Sequence, residues 1–285
     1  MSFDSARLTL LAITEPGTTY WSEEISTHGA AVVLEKMNAR AYDPIKHAAI
    51  YQRLSEFNAE KTMQLIETAG AQMITPDDPE WPVQLNDLIA PPIALLVKGF
   101  TETLYKPSLA IVGTRNPTPY GTRIAGDFAA GFADREWPVI SGGAYGIDSA
   151  AHKGALVAEG ATVAVIASGI DVEYPLGNSR LFAEICENGA IVSEYLPGVP
   201  ALPHRFLIRN RLIAALSKST LVVEAAFRSG SLRTARDAAE LMRPVMAIPG
   251  PINSPSSEGC HRLIGERCAE IVTSVGDAFE LISAL

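Results

Sequence analysis

Leu109-Ala110-Ile111-Val112-Gly113-Thr114-Arg115 opens the stretch of this 285-residue chain whose reading decides the fold. Four consecutive apolar residues suit a short strand buried on both faces, and the glycine, hydroxyl and cation after them suit a loop entering a helix. The pattern then repeats. A helix is predicted over 121–135, where Ile124, Phe128 and Phe132 fall four apart on one face, then a strand at Val139-Ile140. Further helices are predicted over 147–158, 179–187, 206–216 and 232–242, with strands over 162–167, 190–192, 220–223 and 245–248 between them. Short apolar strands alternating with helices mean a parallel sheet with right-handed crossovers. Upstream, Gln72-Met73-Ile74-Thr75 and Ile93-Ala94-Leu95-Leu96-Val97 read as two strands flanking a short helix and are expected to extend the same sheet. Residues 259–285 add a short helix, a strand over 269–272 and a final helix.

The first sixty or so residues lack this alternation. Hydrophobic residues at helical spacing, such as Ile45, Ala48, Ala49 and Leu54, predict short helices, with a turn at Glu15-Pro16-Gly17-Thr18 and a break at His28-Gly29-Ala30. The expected organisation is a small all-helical domain over 1–68 and an extended Rossmann-like parallel α/β domain over 69–285. The helical part is acidic, which favours a packing or dimerisation module over a DNA contact.

Composition excludes several classes. With 47% hydrophobic and 19% charged residues the chain is neither disordered nor fibrous. Its longest apolar runs, such as residues 161–167, fall far short of the roughly 20 needed to span a bilayer, and no basic leader or h-region marks a signal peptide. Cys186, Cys260 and Cys268 form no CxxC pair, which suits a reducing cytoplasm and gives no reason to expect a metal. The net charge of −9 opposes a polyanion partner overall, yet residues 203–243 carry eight basic side chains against three acidic ones. A polyanion responds to the local field.

In parallel sheets ligands lie beyond the C-terminal strand ends. Four such loops here are rich in small residues: Gly113-Thr114-Arg115-Asn116, Ser141-Gly142-Gly143-Ala144-Tyr145-Gly146, Ser168-Gly169, and Glu224-Ala225-Ala226-Phe227-Arg228-Ser229-Gly230-Ser231. Glycines there let the backbone approach an anion, and helix N-termini aim N–H groups at it. Arg115 can add a charge-assisted contact to phosphate. Gly142-Gly143-x-x-Gly146 lacks the dinucleotide spacing and no acidic ribose partner ends the next strand, so no nicotinamide or flavin cofactor is expected. The P-loop lysine is missing too. Arg205 and Arg209 can share a helix face, whereas Arg209 and Arg211 have Glu194 or Glu224 as ion-pair alternatives. Arg233, Arg236 and Arg243 read as a solvated stripe. No catalytic constellation stands out, although Asp148 could orient His152 from one helical turn away. Tyr120, Tyr145, Tyr174 and Phe227 could stack on unpaired bases.

Taken in order, Ala110-Ile111-Val112-Gly113-Thr114-Arg115, Ser141-Gly142-Gly143-Ala144-Tyr145-Gly146-Ile147-Asp148, Ser168-Gly169-Ile170-Asp171, Phe206-x-x-Arg209-Asn210-Arg211, Ser229-Gly230-Ser231-Leu232 and Ile248-Pro249-Gly250 resemble the DNA-processing protein A family, also called DprA or Smf. The match runs over roughly residues 70–275, and the helical N-terminus is similar in kind to that family's sterile-alpha-motif-like (SAM-like) domain. The resemblance implies a cytoplasmic protein that binds single-stranded DNA, forms a homodimer through the Rossmann-like domain, and loads RecA recombinase onto incoming strands in natural transformation. No catalytic turnover is implied. Carried over by motif, the DNA-binding positions are Gly113, Thr114, Arg115, Ser141, Gly142, Gly143, Arg209, Asn210, Arg211, Ser229, Gly230 and Ser231. Two departures stand out: Leu176 replaces the family's lysine after Tyr174-Pro175, a loss Arg180 could offset, and Arg233 replaces an apolar residue. The winged-helix domain that many members carry has no counterpart in residues 1–285; the lineage lacks it or the chain is truncated. The main rival is a nucleotide-processing enzyme resembling the cytokinin-activating phosphoribohydrolases, whose Rossmann variant uses a Pro-Gly-Gly-x-Gly-Thr-x-x-Glu loop. Arg236 or Asp237 stands near the place of that catalytic glutamate. A scaffold that meets recombinase without touching DNA is a third reading.

Overall fold

A computed structural model describes residues 4–283. Five helices come first: α1 (Ser5–Ile13), α2 (Thr19–His28), α3 (Ala30–Asn38), α4 (Ala48–Glu56) and α5 (Ala59–Thr68). Gly29, at φ +82°, separates α2 from α3, a backbone angle that favours glycine. Then follow β1 (Gln72–Ile74), β2 (Leu95–Gly99), β3 (Leu109–Val112), α6 (Pro119–Ala133), β4 (Val139–Ser141), α7 (Ile147–Val157), β5 (Thr162–Val165) and α8 (Ser179–Asn188). The chain continues through β6 (Ala190–Ser193), α9 (Pro203–Leu216), β7 (Ser219–Val222), α10 (Ser231–Glu240), β8 (Val245–Ala247), α11 (Glu258–Gly265), β9 (Glu270–Ile271) and α12 (Val275–Ser283).

The nine strands form one sheet in the order β1-β2-β6-β5-β4-β3-β7-β8-β9. From β3 to β9 every neighbouring pair, and likewise β6 through β4, is parallel, whereas β2 pairs antiparallel with both β1 and β6. The extension expected of the first two strands is therefore present, in antiparallel register, and the short helix expected between them is a single 3-10 segment at Val83–Asp87. β3 lies between β4 and β7, with Leu109 opposite both Val139 and Ser219. Successive strands spread from it first one way and then the other, which makes the β3–β7 gap the topological switch point.

The four apolar residues of β3 divide between the two faces, as alternation along a strand requires. Ala110 and Val112 join a core with Leu212, Ile213 and Leu216 of α9, Leu232 of α10 and Leu263 of α11. Leu109 and Ile111 pack on the other face with Phe128 and Phe132 of α6 and Ala151 and Ala155 of α7. The N-terminal helices hold a core of their own around Leu10, Trp21, Val33 and Met37. They also contribute Leu8 and Ile66 to a shared cluster with Leu96, Ile166 and Phe182. No helix among the described residues is long and apolar enough to cross a membrane.

Helices α6 and α7 cross with Gly126 against Gly154. A Cβ on Gly154 would lie 2.5 Å from the Gly126 carbonyl oxygen, whereas one on Gly126 meets nothing closer than 4.0 Å. Alanine gains about 1 kcal/mol of helix propensity at either site. At Gly154 overpacking against backbone costs about 1–3 kcal/mol and outweighs that gain. Gly126→Ala is therefore expected to raise the urea midpoint and Gly154→Ala to lower it; equal shifts of one sign would contradict this packing.

Candidate functional site

A cleft of about 630 Å³ opens above the β3–β7 switch point. Gly113, Thr114 and Arg115 form one wall, the Phe206 end of α9 a second, and Arg228, Ser229, Gly230 and Ser231 a third. A second cleft of about 670 Å³, around Trp137 and Lys218, lies beyond the strand starts at the opposite end of the sheet.

Several backbone N–H groups at this rim are already engaged from within the protein. Glu224, buried at the end of the β7 run, accepts from the Thr118 backbone N–H at 2.9 Å and from Thr118 Oγ1 at 2.7 Å. Its carboxylate therefore sits at the N-terminus of α6, and Gly121 is glycine because a Cβ would run into it. After β4, Asp148 Oδ2 accepts from Gly142 N–H at 3.1 Å and Ala144 N–H at 3.4 Å. These are the positions where a phosphate would be held in a nucleotide-binding sheet, and carboxylates occupy both. The N-terminus of α10 differs, since no side chain outside the loop caps it.

Several residues expected to contact DNA lie beneath or outside this cleft. Ser141 is fully buried and donates its hydroxyl to Ile111 O at 2.6 Å. Gly142 and Gly143 are buried beneath the rim, Gly143 at φ +68° with its carbonyl accepting from Asn178 Nδ2 at 2.9 Å. Arg211 points away from the cleft: its Nη2 donates to both carboxylate oxygens of buried Glu194 at 2.7 Å. Gly17 in the α1–α2 turn packs over that pair, where a Cβ would sit 3.3 Å from Arg211 Nε. Arg180 is exposed and pairs with Glu184 at 3.1 Å, and like Leu176 it lies outside the lining of this cleft.

Arg209 lines the floor but is only 4% exposed. Its Nη1 donates to Gly142 O at 2.8 Å and to Val165 O, tying α9 to the ends of β4 and β5. Burial lowers its pKa to about 10, which still leaves it charged at neutral pH. Asn210 donates to Gly230 O at 3.2 Å and steadies the β7–α10 loop. In that loop the Ser229 and Ser231 hydroxyls lie 2.7 Å apart.

Beside the open N-terminus of α10, the groups left for a ligand are side chains. Arg115 is exposed and has no hydrogen-bond or ion-pair partner among the described residues; its guanidinium lies 5.0 Å from the Phe206 ring centroid. Tyr174, half exposed, meets Phe206 at 5.4 Å, and Arg228 is an exposed cation on the opposite wall. Phe206 and Arg228 were not singled out by sequence. Phe206 touches Arg115 across more than ninety positions, so no local spacing could signal it. Arg228 was hidden in a loop read for its small residues. By contrast Arg233, Arg236 and Arg243 are engaged with Asp237, Glu266 and Asp87. Arg243 also leaves the solvated stripe to cap carbonyls at the end of α9.

Asp148 does not orient His152. The imidazole is buried, and Thr162 Oγ1, which donates to Val139 O at 2.7 Å, must accept from Nδ1–H at 2.7 Å. Burial, with Arg209 nearby, lowers its pKa to about 3, so the ring is neutral and held as packing.

A sequence model of the family described as DNA recombination-mediator protein A matches residues 72–283. The chain is 44% identical over 237 residues to a putative DNA processing protein DprA of Mycobacterium tuberculosis, across 79% of this chain and 61% of that one. It therefore spans about three-fifths of that relative's length. It is 39% identical over 255 residues to protein Smf of Escherichia coli, across 89% and 67% of the two chains. The crystal structure of DNA processing protein A from Streptococcus pneumoniae superposes with a TM-score of 0.85 at 32% identity, covering 98% of both chains. A structure of the Helicobacter pylori protein, described for its single-stranded DNA binding mode, matches with a TM-score of 0.68 at 31% identity, over 76% of this chain and 98% of that one.

The neutral His152 makes stability depend on pH. The folded ring resists a proton down to about pH 3, whereas the unfolded one takes it near pH 6.5. The unfolded state thus binds more protons as pH falls through that window, and stability drops there. Between pH 7 and pH 5 the loss is about 2 kcal/mol. His152→Gln should lose about that much less than the wild type over the same interval, measured by urea unfolding. Parallel losses in both proteins would contradict a buried neutral ring.

Proposed function

The chain belongs to the DNA recombination-mediator protein A family, and on that premise we propose that the cleft at the β3–β7 switch point binds single-stranded DNA. The observation that carries this reading is the exposed Arg115 guanidinium stacked on Phe206 beside Tyr174, facing Arg228 across the cleft. Aromatic faces accept any unpaired base, and cations along the same path meet the backbone. Gly113, Thr114, Arg115, Asn210, Ser229, Gly230 and Ser231 are the contact positions, joined by Phe206, Tyr174 and Arg228. Arg209 acts from beneath, by holding the floor. Duplex DNA, whose bases are already stacked, offers little to such a platform.

The reading is of a binding protein without turnover. Asp148 is the one carboxylate lining the cleft among the described residues, and two backbone N–H groups engage it. Asp237, near the place of the rival enzyme's glutamate, is buried and paired with Arg233 at 2.7 Å. Release of free base from AMP would overturn this part. Protection of incoming strands, loading of RecA recombinase, homodimerisation through the Rossmann-like domain, a cytoplasmic location and the division into 1–68 and 69–285 are proposed on family membership.

Anisotropy titrations of labelled oligo-dT test the site. Phe206→Ala is expected to weaken binding by about 1–3 kcal/mol, the range for one stacked base. Arg115→Ala should weaken it at low salt and flatten the dependence of log K on log salt by about 0.7 if one phosphate contact is lost. Arg180→Ala should match the wild type. Equal affinity and equal salt slope for Arg115→Ala and the wild type would sink the assignment.

A further inference from the structure

Phe227 stands at the outer lip of the cleft, half exposed, on a turn closed by the Ser229 N–H donating to Ala226 O at 2.9 Å. Phe227 and Arg228 hold the two corner positions of that turn. Its base is fixed: the Ala225 N–H donates to Ser256 O at 2.7 Å, and the Gly259 N–H to Ala225 O at 2.8 Å. Helix α11 approaches so closely that a Cβ on Gly259 would lie 2.7 Å from Ala225 O. From this braced turn Arg228 lines the cleft, while the Phe227 ring lies outside the cleft lining and against α11. There the Arg262 guanidinium sits 4.6 Å from the ring centroid. Arg262 is held in turn by Glu266 at 2.5 Å, and Glu266 by Arg236 at 3.8 Å.

A single exposed ring needs no explanation by itself. Here, however, the ring sits on a rigid corner, carries a fixed cation beside it, and is separated from the cleft by one further exposed arginine. Phe206 likewise carries a guanidinium over its ring, that of Arg115, which has no ion-pair partner among the described residues. We propose that Phe227 and Arg262 form a second stacking station for single-stranded DNA, which a strand reaches after leaving the cleft over Arg228. This rests on the reading of the cleft as the DNA site. With a ring face and a cation but no base-edge donors assigned, the station should tolerate any base.

The station acts only on strands long enough to leave the cleft, which supplies the test. Oligo-dT of about six and about twenty nucleotides would be titrated against the wild type and three variants at Phe227. Phe227→Ala and Phe227→Leu are expected to weaken the long strand about tenfold and leave the short one unchanged, because leucine keeps the packing but not the stacking. Phe227→Tyr should retain wild-type affinity on both. If the wild type binds both strands and Phe227→Ala binds the long one equally well, the station is overturned while the cleft stands. Equal losses on both lengths would mark the turn as merely structural and also overturn it. A wild type that binds neither strand would sink the cleft reading itself.

Discussion

A buried guanidinium holds the rim together. Arg209 is almost wholly removed from water, and a buried cation is tolerable only where oxygen atoms surround it. Gly142 O and Val165 O accept from it, and the Asp148 carboxylate beside it raises its pKa against the pull of burial. These contacts fasten α9 to the ends of β4 and β5. With α9 fixed, its first turn must present Phe206 to the cleft, and Phe206 in turn gives Arg115 a surface on which to lie. The exposed binding platform is thus set by a cation that is itself withdrawn from the surface.

The same economy of charge changes the chemistry of the rim. In a nucleotide-binding sheet the helix N-termini and glycine-rich turns are left open for phosphate. Here Glu224 closes the N-terminus of α6 and Asp148 takes the amides after β4. A compact nucleotide seated at either place would have to displace a buried carboxylate, at the cost of leaving it unpaired. A polymer has no such need: its bases can lie on rings while its phosphates meet exposed arginines at the edge. On the proposed reading, the fold keeps the Rossmann-like position of the site and alters what that site prefers.

Much of the fold was legible because it is written in local pattern. The apolar run of β3, split between two cores, and the four-residue spacing of Ile124, Phe128 and Phe132 are features that spacing can reveal. Helix ends shifted by a residue or a few, as at α9, which begins at Pro203 and not Phe206. The site was legible in position and less so in detail. Motif reading names Ser141, Gly142, Gly143 and Arg211 as DNA-binding positions, yet a motif does not say which way a side chain turns. Glu194, seventeen residues before Arg211, is one of two candidate partners in sequence, and the fold pairs the two beneath the α1–α2 turn. Phe206 and Arg228 became visible only once distant loops met.

A structure of the chain with bound oligo-dT tests the central claim most directly. It should show a base against the Phe206 ring with Arg115 on the strand's backbone, while the Gly142 and Ala144 amides stay on Asp148. A phosphate seated on those amides with Asp148 displaced, or a strand bound away from the β3–β7 cleft, would contradict the account.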